Sequence, residues 1–456
     1  MKKYFPFAIC FAILAVSCQK EDISNEYTEN EWLSGGVQTV FDEGAGSFSH
    51  PFPVMDNFKQ RVHEIGDIGF EAAFVTSPAQ LNPGLGPVFN NVSCASCHIA
   101  DGRGKPSVPG EQPQSLLIRI SVQGTDAYGG PNPVPGFGGQ LQPRSIAGQL
   151  AEAEVTTIHS YLTIYFSDGT GHELIVPQYL ISNAYTNYPS NTMQSARIAP
   201  PVFGLGLLEA VDEKEILKYA DEADVNGDGI SGKANIVYDY EKSIYTLGRF
   251  GWKAGQPNLK QQTAGAYNED MGITNPIFSK ESCEQQPQHD GKYDETEISD
   301  SILHAVTFYV KTLAVPARRN ADHAVVLEGK NIFMNSGCGS CHRPSMTTAV
   351  NVTFPEISNQ KIFPYSDLLL HDMGEGLADN RPEYLANGRE WRTPPLWGIG
   401  LTKVVNGHQY FLHDGRARNF MEAILWHGGE AEESANKVRN LKAAERQKLV
   451  AFLESL

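Results

Sequence analysis

The residues best placed to do chemistry are two CxxCH pentapeptides, Cys94-Ala95-Ser96-Cys97-His98 and Cys338-Gly339-Ser340-Cys341-His342. In each, two thiols can add across the vinyl groups of a porphyrin as thioethers. The histidine that follows can then take the proximal axial position on the iron. Composition predicts only roughly 0.003 such pentapeptides in this chain, so two are not chance. A zinc ribbon would bring its CxxC pairs close together, but Cys97 and Cys338 lie 241 positions apart. A thioredoxin-like CxxC needs a βαβ setting that neither site has. The motifs imply two covalently bound haem c groups, on Cys94, Cys97 and His98 and on Cys338, Cys341 and His342.

Such attachment fits a compartment outside the cytoplasm. Lys2 and Lys3 precede an apolar run, Tyr4 to Val16, that ends at Ser17-Cys18. This is a signal-peptide layout, too short for a membrane span. Ala15-Val16-Ser17-Cys18 resembles a bacterial lipobox, with residues 1–18 as lipoprotein signal and Cys18 as the lipid-bearing residue. Gln19-Lys20-Glu21-Asp22 resembles the surface-export signal of some bacterial lipoproteins. The alternative is ordinary cleavage beside an incidental cysteine. The expected location is the cell envelope, lipid-anchored, facing the periplasm or at the cell surface. Of seven cysteines, only Cys283 is then left without a role, so an internal disulfide framework is excluded. Cys283 lies in a polar loop and reads as a bystander rather than a redox thiol. The net charge of −17 becomes −19 once the two lysines leave with the signal. That balance disfavours nucleic acid and allows a basic electron-transfer partner.

Elements must position these sites. Residues 19–54 read as a tether because their first half is polar. Residues 55–320 read as an N-terminal haem module with insertions, and 321–456 as a C-terminal cytochrome c module. Ile298, Ile302, Leu303, Ala305, Val306, Tyr309 and Val310 form a helical stripe that Pro316 stops. Val325 to Asn335 reads as a short helix running into Cys338. Leu449, Phe452, Leu453 and Leu456 fall on one face of a closing helix. The expected fold is mainly α, with two cytochrome c-like modules, long loops and insertions. A short repeat supports this. Ala199-Pro200-Pro201-Val202-Phe203-Gly204-Leu205-Gly206-Leu207 matches Thr393-Pro394-Pro395-Leu396-Trp397-Gly398-Ile399-Gly400-Leu401 at five of nine positions, each copy with an arginine just before it.

The sixth iron ligand separates electron transfer from catalysis. Beyond the second motif the candidates are Met346, His371, Met373, His408, His413 and His427. Several segments here resemble a known family: His371-Asp372-Met373-Gly374, Glu390-Trp391-Arg392-Thr393-Pro394-Pro395, Phe411-Leu412-His413-Asp414-Gly415-Arg416 and Glu422-Ala423-Ile424-Leu425-Trp426-His427-Gly428-Gly429-Glu430. Phe89 to Ser93, Arg197 to Pro201, Asp224 to Gly232 and Gly248 to Ala254 agree in the first half. Together they resemble the di-haem oxidoreductases of peroxidase type, often labelled thiol oxidoreductases, over about residues 55–456. That family is similar in turn to bacterial di-haem cytochrome c peroxidases. The resemblance implies that His427 is the distal ligand of the second haem, where the peroxidases use methionine. Met373 is the second choice, and His413 would shape the contact between modules.

The first haem has no such counterpart in register. His427 follows Pro394 by 33 positions, and the same step from Pro200 lands on Lys233. An open sixth site at His98 follows, with Met193, Met271 and His159 as possible ligands. The related peroxidases use a distal glutamate and polar groups to break the O–O bond, and Glu209 and Arg197 are the candidates here; for both, the alternative is an ordinary salt bridge. Asp224, Asn226 and Asp228, with Gly229, resemble the first half of a calcium loop, although Asn235 stands at the twelfth position. The alternative is a hydrogen-bonded Asx turn. Trp252, Trp391, Trp397 and Trp426 could relay electrons or simply pack. The expected function is a peroxidase-like di-haem oxidoreductase. Electrons would pass from a small donor protein to the C-terminal haem and on to the N-terminal one, where a peroxide or another small substrate reacts. The alternatives are a pure electron relay and an oxidase of a thiol or sulfur compound.

Overall fold

The computed structural model describes residues 29–289 and 296–456. The expected signal residues 1–18 and Cys18 lie outside the described residues. Among the described residues no helix is long and apolar enough to cross a membrane.

One helical frame occurs twice. In the first half a leading helix, Asn57–Glu71, is capped by Asp56, whose carboxylate accepts the Phe58 and Lys59 N–H groups at 2.9 Å each. It crosses a closing helix, Asp300–Lys311, capped by Ser299. In the second half Ala324–Asn335 leads and Ala443–Ser455 closes. Both crossings need a glycine. A Cβ on Gly66 would collide with the Ala305 carbonyl, and one on Gly329 with the Lys448 carbonyl. The same aromatic contact follows each crossing: Phe70 on Tyr309 with centroids 5.2 Å apart, and Phe333 on Phe452 at 5.1 Å.

The repeated segments join the two frames. Gly204 and Gly398 both sit at φ 72°, a left-handed conformation that a residue with a Cβ adopts at a cost. Each donates its N–H to the last carbonyl of a closing segment, Leu313 at 2.9 Å and Leu456 at 2.8 Å. The side chain before each glycine then covers the opposite glycine. Trp397 packs on Gly204, and Phe203 packs on Gly398. The repeat is therefore a reciprocal joint between the halves.

The expectation of a mainly α chain is wrong. Among the described residues, helix accounts for 27% and strand for 20%, in ten α-helices and seven small sheets. The reason lies between the first CxxCH and the first repeat. Leu116–Thr125 runs antiparallel to Met193–Ile198 and buries Leu116, Ile118 and Ile120, the alternation of a half-buried strand. Glu154–Tyr165 and Gly171–Ser182 then form one long hairpin. This hairpin reaches the second half, where Arg446 pairs with Asp168 at 2.7 Å and Arg418 donates to the Glu173 carbonyl at 2.6 Å.

The tether expectation also fails within the described residues. Glu31, Gln38, Phe48 and Phe52 are buried, and Thr39–Val40 pairs in parallel with Val315–Pro316. The aromatic residues that follow the polar stretch supply the apolar surface needed to dock it.

Candidate functional site

Each CxxCH histidine is fixed by a main-chain carbonyl. His98 Nδ1 lies 2.7 Å from the Pro200 oxygen, and His342 Nδ1 lies 2.9 Å from the Tyr365 oxygen. A carbonyl can only accept, so the hydrogen bond assigns the proton to Nδ1 and leaves the Nε2 lone pair free for a metal. Burial pushes both imidazoles down to about 4, so both are neutral at physiological pH. Phe70 and Phe333 flank the two rings alike, at 6.1 and 6.2 Å.

His427 has the same arrangement. Asn419 caps the short helix Phe420–Leu425, and its Oδ1 accepts the Glu422 N–H at 3.0 Å. His427 follows that helix, with Nδ1 2.7 Å from the Ala423 oxygen and Nε2 left available. Burial lowers its pKa as well. It also lies close enough to His342 for its charge to help depress the pKa of that residue. His98 differs, because only burial and the Pro200 carbonyl perturb it among the described residues.

The other candidates are placed elsewhere. His371 is held between two carboxylates, Nε2 2.9 Å from Asp367 and Nδ1 2.7 Å from Glu430, and lies 3.5 Å from the Cys341 sulfur. Burial opposes its charge, but Cys341 and Asp367 push its pKa well above the usual histidine value. As a thioether Cys341 would carry no charge, and the carboxylates would remain. With both nitrogens engaged, His371 is an imidazolium and not an iron ligand. His413 stacks on Trp391 at 3.8 Å and 10°. Its carbonyl accepts the Ile198 N–H at 2.8 Å, two residues from Pro200. Met373 lies beside Gly428, and Met346 is buried in a strand pair with Ile362. His408 accepts the Tyr410 N–H at 3.4 Å. His159 lies on the long hairpin near Arg418 and Asp414, Met193 pairs with Ser121, and Met271 is buried in the core against which Cys94 packs.

The two catalytic candidates are each engaged in an ion pair. Glu209 accepts the Leu259 N–H at 2.7 Å and pairs with Lys311 at 2.6 Å. Arg197 pairs with Glu383 at 2.7 Å and donates to Ser195 at 3.0 Å. In the Asp224–Asp228 loop the side-chain oxygens accept backbone N–H groups: Gly229 donates to Asp224, Asp228 to Asn226 and Ile230 to Asp228. Asn235 is buried and donates to the Lys253 and Glu383 carbonyls. Cys283 is buried, its thiol 3.5 Å from Glu281, and burial pushes its pKa up.

The residues present fit a haem at each motif. Buried donors without a hydrogen-bond partner stand beside both: the Arg343 Nε next to His342, the Trp426 Nε1 next to His427, and the hydroxyl of Tyr267, which senses the charge of Cys94. Such donors suit an acidic, planar group. Sequence reasoning missed Pro200 and Tyr365, because they act through the main chain. It also missed the Asp367–His371–Glu430 triad, because Glu430 lies 59 positions beyond His371.

A family model described as "Di-haem oxidoreductase, putative peroxidase" matches residues 27–456. The chain belongs to that family. As a di-haem oxidoreductase it is also similar to a cytochrome c551 peroxidase of Nitrosomonas europaea, 28% identical over 232 residues. That match covers 47% of this chain and 63% of the relative, so the chain matches less than two thirds of that protein. Among solved structures, a chain of Kuenenia stuttgartiensis hydrazine synthase, studied under 20 bar xenon, aligns at 14% identity with a TM-score of 0.35. That alignment covers 90% of this chain and 94% of the other.

Proposed function

We propose that this di-haem oxidoreductase is a peroxidase with two covalently held c-type haems in unlike states. Bound there, haems would supply one-electron chemistry, the proposed order being from the C-terminal site to the N-terminal one, with peroxide as the acceptor. The observation that carries this reading is the asymmetry at the two histidines: His427 lies close enough for its charge to act on His342, while among the described residues no imidazole perturbs His98.

The chain's own residues divide the work. Pro200, Tyr365 and Ala423 hold the three imidazoles in one tautomer and one orientation. His427 would hold the second haem opposite His342 and so leave that site without room for an added ligand. The Trp391–His413 stack and the His413–Ile198 hydrogen bond join the second half to the segment that leads into Pro200. Glu209 and Arg197 serve the frame rather than the O–O bond, because their polar atoms are already committed. The Asp224–Asn226–Asp228 loop is the proposed calcium site, and Cys18 the proposed lipid anchor at the envelope. The proposed donor is a small electron-carrying protein.

Steady-state turnover tests the reading. The haem-loaded protein, given a reduced small cytochrome, should reduce hydrogen peroxide and leave thiosulfate unconsumed. Thiosulfate oxidation without peroxide turnover would contradict it.

A further inference from the structure

A buried ion cluster lies directly behind the second proximal histidine. The Tyr365 carbonyl accepts from His342 Nδ1 at 2.9 Å. At the other end of the same residue, the Tyr365 hydroxyl donates to Glu31. The Glu31 carboxylate also accepts from Arg318 Nη1 at 2.5 Å and from Lys330 Nζ at 2.7 Å. All three ionic side chains are 1–2% exposed, and Tyr365 is fully buried. Phe333 and Phe452 pack on the Tyr365 ring at 6.0 and 5.6 Å, and Phe333 also packs on His342.

The space between cluster and ligand is therefore aromatic and dry, and a charge there is weakly screened. Burial by itself would raise the Glu31 pKa. Arg318 and Lys330 overcome it and hold the carboxylate below its usual range, so Glu31 is charged at neutral pH. Burying such a group is a poor route to stability, since packed apolar residues often serve as well. Among the described residues the first half anchors its histidine differently. There the anchoring carbonyl belongs to Pro200, which has no hydroxyl to reach a charge.

We propose that Glu31, Arg318 and Lys330, acting through Tyr365, set the reduction potential of the second haem independently of the first. These are positioning residues that touch neither iron nor substrate. The negative carboxylate favours the ferric state and holds the potential down, and the two cations act in the opposite sense. The inference rests on the haem reading of the second CxxCH, not on the identity of the substrate.

Spectroelectrochemical titration of the full-length holoprotein tests it. Glu31→Gln should raise the midpoint of the second haem, and Lys330→Met should lower it. Each should shift the oxidised-to-reduced ratio at fixed potential by about fivefold, as expected for a unit charge at an effective dielectric near 20. The first haem should not move in either variant. If one variant does not accumulate as folded holoprotein, the other carries the sign test alone. Shifts of the same sign in both, parallel shifts in both haems, or no shift would overturn the proposal. Wild-type protein that releases all haem on denaturation would overturn the haem reading itself, and the proposal with it.

Discussion

At the residue scale, three histidines share one device. Each gives its Nδ1 proton to a carbonyl and keeps Nε2 for a metal. The His427→Gly variant should convert the second haem from low spin to a state that binds added imidazole, read in the visible spectrum; unchanged coordination would refute the assignment. Glu209→Gln should act differently. It weakens the acceptor for the Leu259 N–H and the Lys311 pair. Stability should fall by about 1 kcal/mol, measured by urea denaturation, with peroxide turnover within about twofold of wild type. The CxxCH residues were legible because two thiols and an imidazole at fixed spacing have one dominant chemical use. Pro200 and Tyr365 were not, since a main-chain oxygen leaves no mark on residue type. Glu31 was hidden for another reason: its polar neighbourhood resembles a solvated tether until Arg318 and Lys330 are seen around it.

At the element scale, the helix pairs depend on close approach. Gly66→Ala and Gly329→Ala would each push a methyl group into a facing carbonyl, at about 1–3 kcal/mol. Denaturation midpoints should drop for both, while alanine at the exposed Gly46, where a Cβ meets only ordinary contact, should cost less. The base of the inserted hairpin holds a second testable group. Glu152 is fully buried and accepts from the Gln142 N–H and from Gln286 at 2.7 Å each. Burial raises its pKa from 4.5 to about 8. The folded state then binds more protons than the unfolded chain between those values, so this group's contribution falls as pH rises from about 5 to 8. Glu152→Gln should flatten that decline, seen in urea midpoints at pH 5 and pH 8. The hairpin itself carried a signal. Thr156, Thr157, Ile158, Thr163 and Ile164 are β-branched, and Asp168-Gly169 is a turn dipeptide before a second run rich in Ile and Val. That pattern argues strand, but the helical spacing around the CxxCH motifs dominates a reading anchored on them. The closing helices were legible from their apolar stripes alone.

At the scale of the whole molecule, the halves are interlocked. One core joins Phe48, Phe203 and Leu313 with Met346, Ile362 and Trp397; the other joins Ile118, Val155 and Leu174 with Phe333, Phe411 and Phe452. Each core draws on both sides of the sequence boundary near Arg318–His323. A fragment of residues 321–456 lacks Glu31 and the inserted sheet, so it should be digested by protease much faster than the same region in the full chain. The order of the modules could be read from the repeat, but their mutual burial could not, because the aromatic side chains that meet, such as Phe203 and Trp397, lie far apart in sequence. On the proposed reading, the interlocked halves would hold an unequal pair of haem sites, one closed by His427 and one open at His98. Electron paramagnetic resonance of the oxidised holoprotein, repeated after one-electron reduction, tests that claim most directly. The account predicts a low-spin bis-histidine signal beside a high-spin signal from the open site. Two low-spin signals that persist through half-reduction would contradict it.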